Sequence, residues 1–408
     1  MWRIHKSRTI RKKTLAFLLL CVLTSGLGLY SYRSFAMPLP LASVSTYTTS
    51  AKSSELVPLP WPEKGQAAIG SLAEGVLARS STDQNPQPIA SIAKILTALA
   101  VLDKKPLALN DDGPSITLGR RDVDIYKDYI ANGGSAVKVE ENEVLSLRQI
   151  LEGTLLPSAN NLADSMAIWA FGSLENYTEY ANKLVSSWEL HKTTVRDASG
   201  FSDTTTSTVD ELVRIGQKAM SNPVLANIVQ KKEATLPVAG VITNTNILLA
   251  NGATGIKTGH TDKAGACLLF ATNYAVTDSA TITVIGAVLG QSDMSQAFAA
   301  SGSIISASKK NFGEQTIVAK GERVASYRSA WGSVTGIVAN EPLTFVGWKA
   351  SNVKVTTAIK EASTVKKGED SGVVSISFNN KTSSVAVSAE NDLGKPSIYF
   401  RLRHGLSL

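Results

Sequence analysis

The chain has 408 residues, 43% of them hydrophobic, with a formal net charge of +7. That size allows one large domain and a smaller companion. Seven of the 41 basic residues (Arg3, Lys6, Arg8, Arg11, Lys12, Lys13 and Arg33) precede Met37 with no acid among them, and the others balance the 34 acids. The basicity therefore marks one terminus and excludes a nucleic-acid footprint, so no nucleic-acid partner is expected.

In chain order, a basic cytoplasmic segment (1–13) precedes an apolar run (14–32) that reads as a signal-anchor or signal peptide. An uncleaved anchor would hold the protein to the cytoplasmic membrane, on its extracytoplasmic face. Small residues at Ser34-Phe35-Ala36 leave cleavage near Ala36, and a secreted or periplasmic product, as the alternative. Residues 33–62 are rich in Ser, Thr and Pro and read as a flexible linker. Short runs at 67–69 and 75–78 predict a strand pair, and Ile92, Ile95, Leu96 and Leu99 have helical spacing. Helical stretches follow over 147–169, broken by turn-forming residues at 157–161, and then over 177–190 and 208–220. Residues 255–259, 267–272 and 280–289 read as strands of one sheet. Beyond Gly313 only alternation remains, which predicts a β-rich, sandwich-like domain over 314–408 with its last strand near 398–403.

Cys21 and Cys267 give no disulfide framework, and Cys267 reads as a small buried hydrophobe. His5, His191, His260 and His404 are scattered, so neither a metal nor a cofactor is expected.

Three short motifs carry chemistry in this order: Ser91-Ile92-Ala93-Lys94, Ser158-Ala159-Asn160 and Lys257-Thr258-Gly259. A serine hydroxyl is a poor nucleophile until a base takes its proton. Lys94, three residues on in a helix, lies on the same face and is the one charge between Ile89 and Leu102. To serve as base it must be neutral, which burial, a helix N-terminus or a second cation such as Lys257 promotes. Ser158 can relay a proton to a leaving amine, and Asn160 can hold a substrate carbonyl. Lys257, Thr258 and Gly259 offer a cation, a hydroxyl and an unobstructed backbone to a peptide with a terminal carboxylate. Ile256 separates Gly255 from Lys257, which rules out a phosphate-binding loop. Backbone N–H groups of Ser91 and His260 are the candidate oxyanion donors.

With their flanks, Pro88–Leu99 and Gly255–Gly265, these motifs closely resemble those of the D-alanyl-D-alanine carboxypeptidases, the low-molecular-weight penicillin-binding proteins. Asp197-Ala198-Ser199-Gly200-Phe201 and the helix after Ser207 are also similar to the family. The resemblance covers roughly 67–312 and implies an α/β (α+β) catalytic domain over 63–313, a sheet flanked by helices. It implies Ser91, Lys94 and Ser158 as catalytic residues, and Asn160, Lys257, Thr258 and Gly259 as substrate-binding ones. The implied substrate is the peptidoglycan stem pentapeptide, with β-lactams as covalent inhibitors. A D,D-endopeptidase uses the same chemistry and is the nearest alternative. A class A β-lactamase would need a glutamate between the second and third motifs, where Glu179 lies in a helical pattern. An inactive wall-binding protein would not need the full residue set. Two departures stand out. Ser-Ala-Asn-Asn replaces the Ser-Gly-Asn-Asp frequent in relatives, and no C-terminal amphipathic anchor helix is read.

Overall fold

The computed structural model describes residues 3–47, 55–379 and 381–404, with side chains from residue 11 onward. Residues 48–54 of the expected linker lie outside these, as do Met1 and Trp2 of the basic segment. The described chain forms two compact units, one of Ser54–Glu314 with Val346–Ala350, the other of the remaining segments.

In the first unit a five-stranded antiparallel sheet runs in the order Ala253–Thr261, Gly265–Thr277, Ala280–Gln291, Gln66–Ser71, Gly75–Arg79. The two long inner strands are buried along their middles, 266–272 and 284–289, where helices cover both faces. Val209–Ser221 packs on one face through Val213 and Ile215, while Met294–Ser308 covers the other through Ala297 and Ile304. The 3.6-residue period of Val209–Ser221 was legible. That of Met294–Ser308 was hidden by its run of Ala, Ser and Gly, as was the short helix Arg120–Ala131 by its charges.

Ala93–Lys104 is the central helix, buried on every side from Ala93 to Leu102. Helices Leu147–Leu155, Asn160–Phe171 and Leu174–Ser187 surround it. Ser146 and Gln149 form a reciprocal capping box at the first of these. Glu179 sits exposed on the third, paired with Lys183 at 2.5 Å, so it is no loop base for a deacylating water.

The second unit corrects two expectations. Ser43–Thr46, read as linker, is an edge strand paired with Arg323–Arg328. The sheet continues through Val334–Ala339, Lys381–Ala389, Asp370–Phe378 and Lys354–Ile359, all antiparallel. An exposed serine- and threonine-rich segment lacks the apolar alternation that marks a strand, so only the unpaired edge of Arg323–Arg328 shows its role. The stretch read as a last strand, 398–403, is instead a helix, Ile398–His404. Ile398, Phe400 and Leu402 alternate as in a strand, while the exposed Ile398, Tyr399 and Leu402 have helical spacing. Arg401 donates from Nη1 to the carbonyls of Ser34 and Phe35, at 3.3 and 3.1 Å. Those carbonyls end the helix Arg3–Ala36, whose residues from Arg11 are long and apolar enough to cross a membrane.

Candidate active site

Three separate pieces of chain meet at Ser91. The first is the turn before the central helix. Gln87-Pro88 pairs with Thr206-Ser207, Ile89 N–H bonds the Thr205 carbonyl at 3.2 Å, and Ala90 takes a left-handed backbone, φ +47°. A non-glycine residue there carries strain of about 1–2 kcal/mol. Ser91 follows in a 3₁₀ turn, Ala90–Ile92, directly ahead of the helix rather than in its first α-turn.

Lys94 is wholly inaccessible to solvent. Its Nζ lies 2.8 Å from Ser91 Oγ, 2.6 Å from Asn160 Oδ1 and 2.7 Å from the Ser199 carbonyl. Two of these three oxygens can only accept. A neutral amine has two hydrogens and one lone pair, so it satisfies both carbonyls and leaves the lone pair for the serine proton. Burial favours that form, bringing the pKa down from 10.5 to about 7 against the opposing charges of Asp197 and Asp164.

The second piece is the turn between Leu147–Leu155 and Asn160–Phe171. Ser158 is left-handed, φ +67°, Ala159 is extended, and Asn160 opens the next helix. Ser158 thus projects from the turn itself and Asn160 from the first residue of the helix. A helix starting at Asn160 fixes its side chain toward Lys94, and among the described residues the Ser158 hydroxyl bonds neither lysine. Asn160 Nδ2 also makes no bond among the described residues. Asn161 is structural, its amide bonding Val137 N–H at 3.0 Å and the Val137 carbonyl at 2.9 Å. A carboxylate could make only the first of these bonds, which accounts for asparagine after Asn160.

The third piece is the edge strand Ala253–Thr261. Gly259 lies where a Cβ would come within 3.0 Å of Ser91 N and of Ala90 Cβ, so only glycine lets strand and turn approach this closely. Lys257 is buried, and its one bond among the described residues is to Thr258 Oγ1 at 3.4 Å. Burial, and then the charge of Lys94, hold its pKa well below 10.5. Thr258 Oγ1 is also 2.6 Å from Thr245 Oγ1. His260 is exposed at the strand end. Cys267, paired in register with Gly259, is buried, and desolvation pushes its thiol up to about 11, so it is no nucleophile.

The motifs left out a shell behind Lys94. Asp197 accepts from Thr205 Oγ1 and, at 3.0 Å, from Ser199 Oγ, which orients the Ser199 carbonyl toward Lys94. Gly200, φ +71°, lies against the Ala90 carbonyl, where a Cβ would clash at 1.8 Å. Tyr129 and Asp164 complete the shell from two helices. The one signal of this shell in the sequence was the family-like turn at 197–201.

A family profile for D-alanyl-D-alanine carboxypeptidase matches residues 67–293, more than half of the chain. The chain is 29% identical over 223 residues to a D-alanyl-D-alanine carboxypeptidase of Streptomyces sp. strain K15, covering 50% of this chain and 72% of that protein. It is 27% identical over 222 residues to one of Escherichia coli K12, covering 53% of each. The chain thus spans about half the length of the second relative. Other similar proteins are named D-alanyl-D-alanine endopeptidases. Penicillin-binding protein 5 from Haemophilus influenzae has the same fold, with TM-score 0.57 and 20% identity over 86% of this chain and all of that one. The chain belongs to the D-alanyl-D-alanine carboxypeptidases, the low-molecular-weight penicillin-binding proteins.

Proposed function

We propose that this protein removes the terminal D-alanine of peptidoglycan stem pentapeptides by serine acyl transfer. The observation that carries this reading is the buried Lys94 Nζ 2.8 Å from Ser91 Oγ, with two carbonyl oxygens at 2.6 and 2.7 Å. Neutral Lys94 takes the Ser91 proton as Oγ attacks the carbonyl between the two D-alanines. The N–H groups of Ser91 and His260 face the oxyanion, Asn160 Nδ2 holds a substrate carbonyl, and Lys257 with Thr258 receives the terminal carboxylate. Collapse breaks the peptide C–N bond, and the leaving amine gains its proton through Ser158. Water then hydrolyses the ester on Ser91, with Lys94 again the base. A β-lactam carries an amide and a carboxylate in like disposition and acylates the same serine.

The helix Arg3–Ala36 anchors the enzyme from its N-terminus, with the site on the extracytoplasmic side, a reading supported by its apolar run after basic residues. Release of D-alanine from a synthetic pentapeptide, lost in Ser91→Ala, tests the reaction. Products only from cross-linked muropeptides would favour the endopeptidase, a second reading supported by the relatives so named. A membrane-bound band beginning at Met1 tests the anchor, which a secreted product starting near Met37 would overturn.

A further inference from the structure

We propose that Asp164 is a positioning residue for acylation, coupled to Lys94 through Tyr129 and Ser199, and that its ionisation helps set the pH at which Lys94 accepts the serine proton. The proposal rests on the reading of Ser91 as nucleophile and Lys94 as its base.

Asn160 and Asp164 stand four residues apart on one helix, so they share a face. Asn160 touches Lys94, and Asp164 lies one turn further in. Asp164 is 7% exposed; its Oδ2 accepts from Tyr129 Oη at 2.8 Å, while Oδ1 is buried with no hydrogen-bond partner among the described residues. A carboxylate left half satisfied in a core costs stability that an apolar residue of the same shape would not. Tyr129 Oη is also 3.1 Å from Ser199 Oγ, and Ser199 supplies the carbonyl that Lys94 bonds at 2.7 Å. Tyr129 further holds the loop beside Asn160. Its carbonyl accepts from Gly134 N–H at 2.8 Å, and the Ser135 carbonyl accepts from Asn160 N–H at 2.8 Å.

The direction of the chain depends on one proton. With Asp164 ionised, the phenol hydrogen goes to Oδ2 and the Ser199 hydrogen goes to Asp197, so the contact between Tyr129 and Ser199 has no hydrogen in it. Once Asp164 is protonated, its O–H can donate to the phenol oxygen, and the phenol hydrogen turns to Ser199. The charge changes with the geometry. Ionised Asp164 helps keep Lys94 protonated, and neutral Asp164 releases that hold. The groups facing Asp164 are Lys94 on the central helix, Tyr129 on Arg120–Ala131, Tyr177 on Leu174–Ser187, and Asp197 on the following turn. Burial lifts its pKa to about 6, opposed by the Tyr129 bond, so it titrates just below Lys94.

Asp164→Asn keeps the shape, can donate to Tyr129 and carries no charge. The rate of acylation by a fluorescent penicillin, followed from pH 5 to 9, should show its acid limb moved down by about half a pH unit. Tyr129→Phe keeps the charge but removes the hydroxyl from which Asp164 Oδ2 accepts, and should lower the plateau about five- to tenfold through misplacement. An Asp164→Asn profile superimposed on that of the wild type overturns the proposal, as does a lower melting temperature with the limb unmoved. Ser91→Ala, run alongside, separates the two readings, since its labelling tests the nucleophile and the limb position tests Asp164.

Discussion

The two buried lysines of the site sit in opposite surroundings. Lys94 has three oxygens within 2.8 Å and a pKa brought down to about 7. Lys257, as deeply buried, has one weak bond to Thr258 and the like charge of Lys94 beside it. The helix beginning at Asn160 and the turn at Ser199 supply acceptors to Lys94, whereas among the described residues Lys257 finds only the hydroxyl of its neighbour Thr258. In the proposed mechanism the base is complete without substrate, and the substrate's carboxylate would complete the anion site. Binding and chemistry are divided between a finished region and an unfinished one.

The comparison breaks most visibly at the nucleophile. Ser91→Ala should abolish covalent labelling by penicillin, read on a gel, and persistent labelling would place the nucleophile elsewhere. Lys94→Met should lower the acylation rate by about 10²–10⁴-fold, measured by stopped flow, because the finished region loses its base. Lys257→Met should act on binding. With a peptide ending in a carboxylate kcat/KM should fall about tenfold or more, and with the corresponding C-terminal amide it should change little. The same substitution should stabilise the fold by about 1 kcal/mol in thermal melts, since it removes a buried cation without a strong acceptor. A destabilised Lys257→Met would show that the strand lysine is satisfied after all. The smallest effect is the most specific. In the wild type the acylation rate should rise with pH through about 7, because the depressed pKa makes Lys94 neutral above that value and protonated below it.

Motif spacing makes the chemistry legible early, because residues three apart stand one above the other where a 3₁₀ turn runs into a helix, as Ser91 and Lys94 do. The 2.8 Å contact follows from the sequence Ser91-Ile92-Ala93-Lys94 and its apolar flank. The shell behind it does not follow in the same way. Asp164 and Tyr129 come from two helices that meet only after folding, and Ser199 contributes a carbonyl, which no side-chain pattern reveals. In the β-rich unit, Ser43–Thr46 carries no strand signal because an edge strand exposed on both faces needs no apolar alternation. Ile398–His404 differs from the expected strand because seven residues are too few to separate a period of two from one of 3.6.

By itself the sequence determined the order of the motifs, the apolar setting of Lys94, the family and the basic, apolar N-terminus, all local properties of chain and pattern. Only the tertiary structure decided that Lys94 is buried among three oxygens and that Lys257 is buried with one weak bond among the described residues. Protonation state and unmet hydrogen bonds depend on which distant groups burial brings within 3 Å, and spacing along the chain cannot encode that.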